Sequence, residues 1–183
     1  MHMATETKRW TLDEVHRLPD DGNKYELVRG DLLVTPPPSD DHETILAALT
    51  PLLDPYVAAH ALGRVYHPRA VMRFAGSEVE PDLMVRQTRA PGSRDWEDAP
   101  TPILVVEVVS PTTRRRDHLQ KRSLYIDAGV AEYWIVDADW REVRAVRAGQ
   151  RDQIVTDILR WQPPGAPVPL SIPLDAMFGP ERS

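Results

Sequence analysis

The stretch that decides the fold is residues 103–109, which have the sequence ILVVEVV. Apolar side chains cover both faces of this stretch, which is typical of a central strand buried between two layers. Glu107 interrupts the apolar run and, by strand alternation, shares a face with Val105 and Val109. An unpaired carboxylate in that position is costly. The pattern therefore predicts a metal, a cationic partner or proton chemistry at Glu107, unless the strand end is exposed and Glu107 reaches water.

A second carboxylate, that of Asp82, belongs to the predicted strand that precedes residues 103–109 in the sequence. Asp82 follows Pro81 at the start of a short β-rich run, residues 81–85. Alone it would indicate only a turn, since Asp is common beside Pro in turns. Two carboxylates on neighbouring strands can hold a hard divalent cation such as Mg²⁺, which prefers oxygen ligands and keeps several waters. A backbone carbonyl beside Glu107, for instance that of Val108, could complete the protein's ligands.

A lysine stands out on the helix predicted over residues 117–128. Helical spacing places Lys121 on the same stripe as the core-facing Leu124 and Tyr125. A lysine at the edge of the core needs an anionic partner, and a carboxylate pair on the adjacent sheet would serve. The alternative is a lysine whose stem lies on the core while its ammonium reaches solvent.

The remaining patterns predict further strands and helices around this centre. A hairpin is indicated by the β-rich runs 24–28 and 32–35 on either side of Gly30. The other predicted elements are a helix over 10–18, a helix over 40–60 that starts at a capping box of Asp40 and Glu43, one strand over 63–74 bent at Pro68, and a hairpin of 132–136 with 142–146. On the long helix, His42 lies on the same face as a row of leucines.

Length and composition narrow the class of protein. The 183 residues suggest one domain over 1–183, with residues 1–9 flexible and the proline-rich tail 162–183 packed on its surface. The absence of cysteine excludes disulfides, thiol nucleophiles and cysteine-ligated metals. No apolar run is long enough to span a bilayer and no secretion signal is evident, so we expect a cytoplasmic protein. The net charge of −6 argues against a protein that coats nucleic acid non-specifically.

Taken in order, these motifs resemble the Uma-type family of restriction-endonuclease-like proteins, within the PD-(D/E)XK nuclease superfamily. The resemblance rests on Tyr25-Glu26-Leu27 with Gly30, His42, Pro81-Asp82, residues 106–111, Asp117 with Lys121 and Tyr125, and residues 129–130 with 132–134. The common form of the superfamily has its lysine two residues after the strand acid, where this chain has Val109. In several branches the following helix supplies the lysine, as Lys121 would do here.

The resemblance implies a restriction-endonuclease-like fold, a mixed β-sheet flanked by helices, and Mg²⁺-dependent cleavage of DNA phosphodiester bonds. Asp82, Glu107 and the Val108 carbonyl would bind Mg²⁺, with Mn²⁺ as a substitute. Lys121 would orient the attacking water or stabilise the charge that develops at phosphorus. Residues that would support this site are Glu26, His42 and Tyr125. The alternatives are that Glu26 faces solvent from its strand and that His42 is a histidine of the core.

Local positive charge indicates where DNA would bind. Five basic residues and one acid lie between residues 114 and 122, in a chain of net charge −6. We expect Arg114, Arg115 and Arg116 to contact phosphates, although a solvated loop would have the same composition. We also expect a homodimer, because two symmetric sites are the simplest way to cut both strands of a duplex.

Two other classes of function fit parts of the sequence. In one, the protein is a degenerate nuclease that binds nucleic acid or a protein partner, and Lys121 does not point at the carboxylates. In the other, it is an interaction domain that uses the apolar residues of the tail with Trp134, Trp140 and Trp161, and Glu107 pairs with an arginine and binds no metal. A zinc hydrolase is disfavoured because the six histidines form no His-x-x-x-His pair.

Overall fold

Residues 104–109 lie at the centre of a mixed six-stranded sheet. They form β7 (Leu104–Val109), whose six residues are all buried. This strand pairs in parallel with β8 (Glu132–Asp137) and antiparallel with β6 (Leu83–Arg86). The prediction of a central strand covered on both faces is confirmed.

The structure is a computed structural model that describes residues 8–89, 91–92, 95–109 and 117–179. Its helical elements are α1 (Leu12–Val15), α2 (Asp40–Ala59), a π-helical turn (Asp117–Lys121), α3 (Arg122–Asp127) and α4 (Leu174–Phe178). Its other strands are β1 (Lys24–Val28), β2 (Asp31–Thr35), β3 (Arg64–Tyr66), β4 (Met72–Phe74), β5 (Ser77–Val79), β9 (Glu142–Val146), β10 (Gln153–Val155), β11 (Ile158–Trp161) and β12 (Leu170–Pro173).

Within the described residues the strands form three sheets. The six-stranded sheet has the order β10-β9-β8-β7-β6-β3, the second sheet has the order β2-β1-β5-β4, and β11 pairs with β12. The predicted hairpins β1–β2 and β8–β9 are both present and antiparallel. This mixed α/β architecture, with helices flanking the central sheet, agrees with the predicted fold class.

Two apolar layers cover the two faces of the central sheet. On one face, Val106 and Val108 of β7 pack in a cluster with Leu49 of α2, and also with residues of β11, β12 and α4. On the other face, Val105 and Val109 pack in a cluster with residues of α3 and of the four-stranded sheet. Glu107 lies two residues from both Val105 and Val109, so it shares their face and projects into the layer between the two sheets.

The long helix α2 follows its predicted apolar stripe. Leu46, Leu49 and Leu53 are all buried in the core. The N-cap of the helix is Ser39, one residue before the predicted cap Asp40, because the Ser39 side chain accepts a hydrogen bond from the His42 N–H. The predicted capping box on Asp40 is therefore wrong, although the helix itself is confirmed.

The single strand predicted over residues 63–74 is wrong. Instead, β3 pairs with β6 in the six-stranded sheet, whereas β4 pairs with β5 in the four-stranded sheet. A turn separates them, in which the Ala70 N–H donates to the His67 carbonyl at 2.9 Å. Pro68 has no N–H to give to a ladder, which explains the break in pairing. The chain therefore crosses here from one layer to the other.

The proline-rich tail contributes side chains to the core. β12 pairs with β11, and Ile172, Leu174 and Met177 are buried in the cluster that contains α2. Trp134 and Trp161 are also fully buried, with ring centroids 5.9 Å apart. These two tryptophans are therefore not available to an interface, whereas Trp140, the third tryptophan of the interaction-domain alternative, is 62% exposed. No helix of the described residues is long and apolar enough to cross a membrane.

Candidate active site

Glu107 lies beyond the point where β6 and β7 stop pairing. The last paired residues are Leu83 and Val106, so β7 continues past the start of β6. Glu107 is only 2% exposed. The alternative in which it simply reaches water at an exposed strand end is therefore wrong, and its charge has to be balanced inside the protein.

Lys121 balances the charge of Glu107. Its Nζ lies 2.8 Å from Glu107 Oε1 and 2.9 Å from Glu26 Oε2, and the residue is 1% exposed. It comes at the end of the π-helical turn, a distortion that is frequent at functional sites. The alternative in which its ammonium reaches solvent is wrong, because the ammonium lies between two carboxylates.

Glu26 approaches Lys121 from the opposite layer. It belongs to β1 of the four-stranded sheet and shares a face with Val28, which packs in the layer between the two sheets. Its Oε1 accepts a hydrogen bond from the Glu80 N–H at 2.9 Å, while Oε2 faces Lys121. The side chain is fully buried, so Glu26 does not face solvent.

Tyr125 is the second donor to Glu107. Its hydroxyl donates to Glu107 Oε1 at 2.6 Å. Burial raises the pKa of Tyr125 well above its ordinary value, and the nearby carboxylates of Glu107 and Glu26 raise it further. The phenol therefore stays protonated and holds the position of the carboxylate.

Tyr125→Phe is expected to lower the free energy of unfolding by about 1.5–3 kcal/mol, the usual contribution of a hydrogen bond to a charged group. The ring would keep its contact with Tyr133, whose centroid lies 4.8 Å away. Urea denaturation monitored by circular dichroism measures this loss. A variant as stable as the wild type would contradict the role of the hydroxyl as a donor to a buried carboxylate.

Asp82 is anchored to the same strand end as Glu107. Its Oδ2 accepts a hydrogen bond from the Val108 N–H at 2.9 Å. Because the N–H and C=O of one strand residue point to the same side, the Val108 carbonyl faces the same space as Asp82. His42 Nε2 lies 3.6 Å from Asp82 Oδ2, which places the start of α2 beside the carboxylate.

Lys24 is a site residue that the sequence analysis missed. Its Nζ lies 3.0 Å from Asp82 Oδ1 and donates to the Glu80 carbonyl at the same distance. Burial and the positive charge of Lys121 lower the pKa of Lys24, but nearby carboxylates outweigh them, so the net pKa is raised and the ammonium stays charged. The signal in the sequence was its spacing: Lys24 lies two residues before Glu26 on the same strand, so the two side chains share a face.

Several of these residues line a cavity of about 600 Å³. The predicted residues that line it are His42, Asp82, Glu107, Val108 and Lys121, and Lys24 joins them. Glu26 and Tyr125 lie behind this wall and reach it through Lys121 and Glu107. Pro19, Pro68 and residues 36–38 also line the cavity.

The oxygen atoms in this part of the site suit a hard cation that takes few protein ligands. Lys121 and Tyr125 both bind Oε1 of Glu107, so no donor among the described residues occupies Oε2. In the described part of the chain, no three His, Asp or Glu side chains converge as a metal cluster. The oxygens that could hold a cation here are those of Asp82, Glu107 and the Val108 carbonyl, and Mg²⁺ is often bound by only one or two carboxylates of a protein.

The arginines predicted to contact DNA, Arg114, Arg115 and Arg116, lie outside the described residues. The side chain of Asp117 also lies outside the description, whereas its backbone begins the π-helical turn.

A solved structure resembles this fold over almost its whole length. It is a crystal structure from Anabaena variabilis of "a putative nuclease belonging to DUF820". The two share 21% sequence identity with a TM-score of 0.76, and the match covers 92% of this chain and 97% of that chain. At this identity the similarity establishes the fold. No curated protein matches the chain.

Sequence comparison identifies the family. The family described as "Uma2: Putative restriction endonuclease" matches residues 12–175. This range includes all three described sheets and every residue of the candidate site, and the chain belongs to this family. The resemblance drawn from the motifs is confirmed.

Proposed function

We propose that the protein is a metal-dependent endonuclease that hydrolyses DNA phosphodiester bonds. The observation that carries this proposal is the buried contact of Lys121 with Glu107, at a cavity wall that also holds Asp82. A degenerate binding module has no evident need for a lysine buried between two carboxylates. The family membership supports the same reaction class.

In this proposal Asp82, Glu107 and the Val108 carbonyl would hold Mg²⁺, with Mn²⁺ as a substitute. Oδ1 and Oδ2 of Asp82 keep further lone pairs beside their present contacts, and the described hydrogen bonds to Glu107 both go to Oε1, which leaves the lone pairs of Oε2. A bound divalent ion would lower the pKa of its water and neutralise charge at phosphorus.

The protein's own groups would position the reactants. Lys121 presents its ammonium beside Glu107, where it would orient the attacking water or stabilise charge on the phosphoryl oxygens. Glu26 and Tyr125 fix Lys121 and Glu107 from behind, because each contacts one of them and neither lines the cavity. His42 lies at the edge of Asp82 and would contact water or substrate there.

DNA and a second copy of the chain are the proposed partners. Arg114, Arg115 and Arg116 follow the strand of Glu107 in the sequence, which suits phosphate contacts near the reacting bond. A homodimer would present two such sites to the two strands of a duplex. Neither partner is needed for the proposed roles of Asp82, Glu107 and Lys121.

Nicking of supercoiled plasmid tests the proposal. We expect the wild type to convert supercoiled DNA to the open circular form in Mg²⁺ or Mn²⁺ and to be inactive in EDTA. Asp82→Asn removes one of the two charges proposed to bind the metal, so nicking should fall by about 100-fold or more, the loss expected when several kcal/mol of charge stabilisation disappears.

Asp152→Asn is the matched control. Asp152 pairs with Arg122 at 2.8 Å and does not line the cavity, so this variant should nick like the wild type. If the wild type cuts no plasmid, single-stranded or branched DNA with either metal, the nuclease proposal fails and the binding-module alternative takes its place. Nicking by Asp82→Asn at the wild-type rate would instead remove Asp82 from the metal site.

A further inference from the structure

Lys24 is in direct contact with the carboxylate proposed to bind a metal. Its Nζ lies 3.0 Å from Asp82 Oδ1. It makes its other described contact with a neutral acceptor, the Glu80 carbonyl, also at 3.0 Å. The ammonium therefore occupies a face of Asp82 that a divalent cation would approach.

The charges of the surrounding side chains give a reason for an ammonium group beside Asp82. Three buried carboxylates, those of Glu26, Asp82 and Glu107, meet two ammonium groups, those of Lys24 and Lys121. These five described groups carry a net charge of −1, and without Lys24 the other four would carry −2, the charge that one divalent cation balances. The ammonium of Lys24 therefore satisfies part of the attraction that these carboxylates would exert on the cation.

The two lysines differ in how firmly they are held. Lys121 has a side-chain exposure of 2% and touches two carboxylates, whereas Lys24 has an exposure of 20% and touches one. Lys24 also lines the cavity at the first residue of β1, where a long flexible side chain can move into open space. Of this pair, Lys24 is the more exposed cation and the one with fewer carboxylate contacts.

We propose that Lys24 is the internal counter-ion of Asp82, that it stands in for the divalent cation when no metal is bound, and that it sets the metal affinity of the site. This inference rests on the proposed function, because it assumes that Asp82 belongs to a metal site. Lys24 holds Asp82 in place and screens the repulsion among the carboxylates. A metal has to compete with this ammonium, so the site binds divalent cations more weakly than its carboxylates alone would.

The test is the affinity for Mn²⁺, measured by isothermal titration calorimetry without DNA. Lys24→Met removes the charge and keeps the length of the side chain, and it should bind Mn²⁺ about tenfold or more tightly than the wild type. Lys24→Arg keeps the charge and should bind within about threefold of the wild type. Lys8→Met is the matched control, because Lys8 is an exposed lysine paired with Glu14 outside the cavity, and it should not change the affinity.

Thermal unfolding gives a second readout. Lys24→Met leaves Asp82 without its cation, so its melting temperature should fall in EDTA and rise more on addition of Mn²⁺ than that of the wild type. Adding Asp82→Asn to Lys24→Met should abolish this larger rise. If Lys24→Met does not fold, Lys24→Gln, which can still donate to the Glu80 carbonyl, takes its place in both measurements.

The outcomes separate this inference from the nuclease proposal. Equal Mn²⁺ affinity in the wild type and Lys24→Met would overturn the role of Lys24 and leave the metal site intact. Binding by Lys24→Met alone would support the role of Lys24 and argue that the wild type is not an active metalloenzyme. Absence of Mn²⁺ binding in all variants would overturn both proposals.

Discussion

Lys121→Met is expected to lower the free energy of unfolding by about 3–5 kcal/mol, the cost of removing one partner from a buried ion pair. The ammonium lies 2.8 Å from Glu107 and 2.9 Å from Glu26, and both carboxylates are almost fully buried. Methionine fills a similar volume, so the loss would come from the two uncompensated carboxylates and not from a cavity. Guanidinium denaturation at neutral pH measures it.

A double-substitution cycle distinguishes this cause from a packing defect. Adding Glu26→Gln to Lys121→Met should restore part of the stability, because one of the two unpaired charges is removed. Lys8→Met, which changes an exposed lysine, should stay within about 0.5 kcal/mol of the wild type. Additive losses in the cycle, or a Lys121→Met variant as stable as the wild type, would contradict the ion-pair interpretation.

The residues that the sequence identified are those that break a local pattern. Glu107 interrupts an apolar run, and Lys121 shares a stripe with buried residues, so burial alone predicts that each needs a partner. The structure brings these two together at 2.8 Å. Asp82 was added because it begins the neighbouring strand, and the antiparallel register of β6 and β7 places it beside the end of β7.

The residues that the sequence analysis missed or left open depend on contacts between layers. Lys24 and Glu26 lie on a hairpin whose alternation fits a half-exposed strand equally well, and nothing local says which sheet they face. Their partners, Asp82 and Lys121, are 58 and 95 positions away in the sequence. Only the packing of the four-stranded sheet on the six-stranded sheet brings them together.

The error at residues 63–74 has the same origin. The apolar content of this segment is correct for strands, and both β3 and β4 form within it. Its two halves pair with different sheets, and no local signal specifies the partner of a three-residue strand. Strand pairing over long sequence separations is a property of the assembled core, so periodicity predicts the existence of strands better than their arrangement.

Glu107→Gln is expected to reduce metal-dependent plasmid nicking by about 1000-fold or more, while the fold is retained. Glutamine keeps the shape of the side chain, and its carbonyl can still accept from Lys121 and Tyr125. The charge proposed to hold the metal is lost, and several kcal/mol of stabilisation at the reacting phosphate would go with it. Single-turnover nicking in saturating Mg²⁺, with circular dichroism to verify folding, measures the effect.

Glu132→Gln provides the matched control for Glu107→Gln. Glu132 is a buried glutamate of the neighbouring strand β8, is 6% exposed, and accepts hydrogen bonds from Arg147 and Trp134. It shares a face of the strand with Trp134, which packs in the cluster that contains α2. Glu132 therefore lies on the face of the sheet opposite to that of Glu107. Equal losses of activity in the two variants would mean that any buried charge in this sheet matters. Loss confined to Glu107→Gln would mean that the chemistry depends on the carboxylate that faces the cavity.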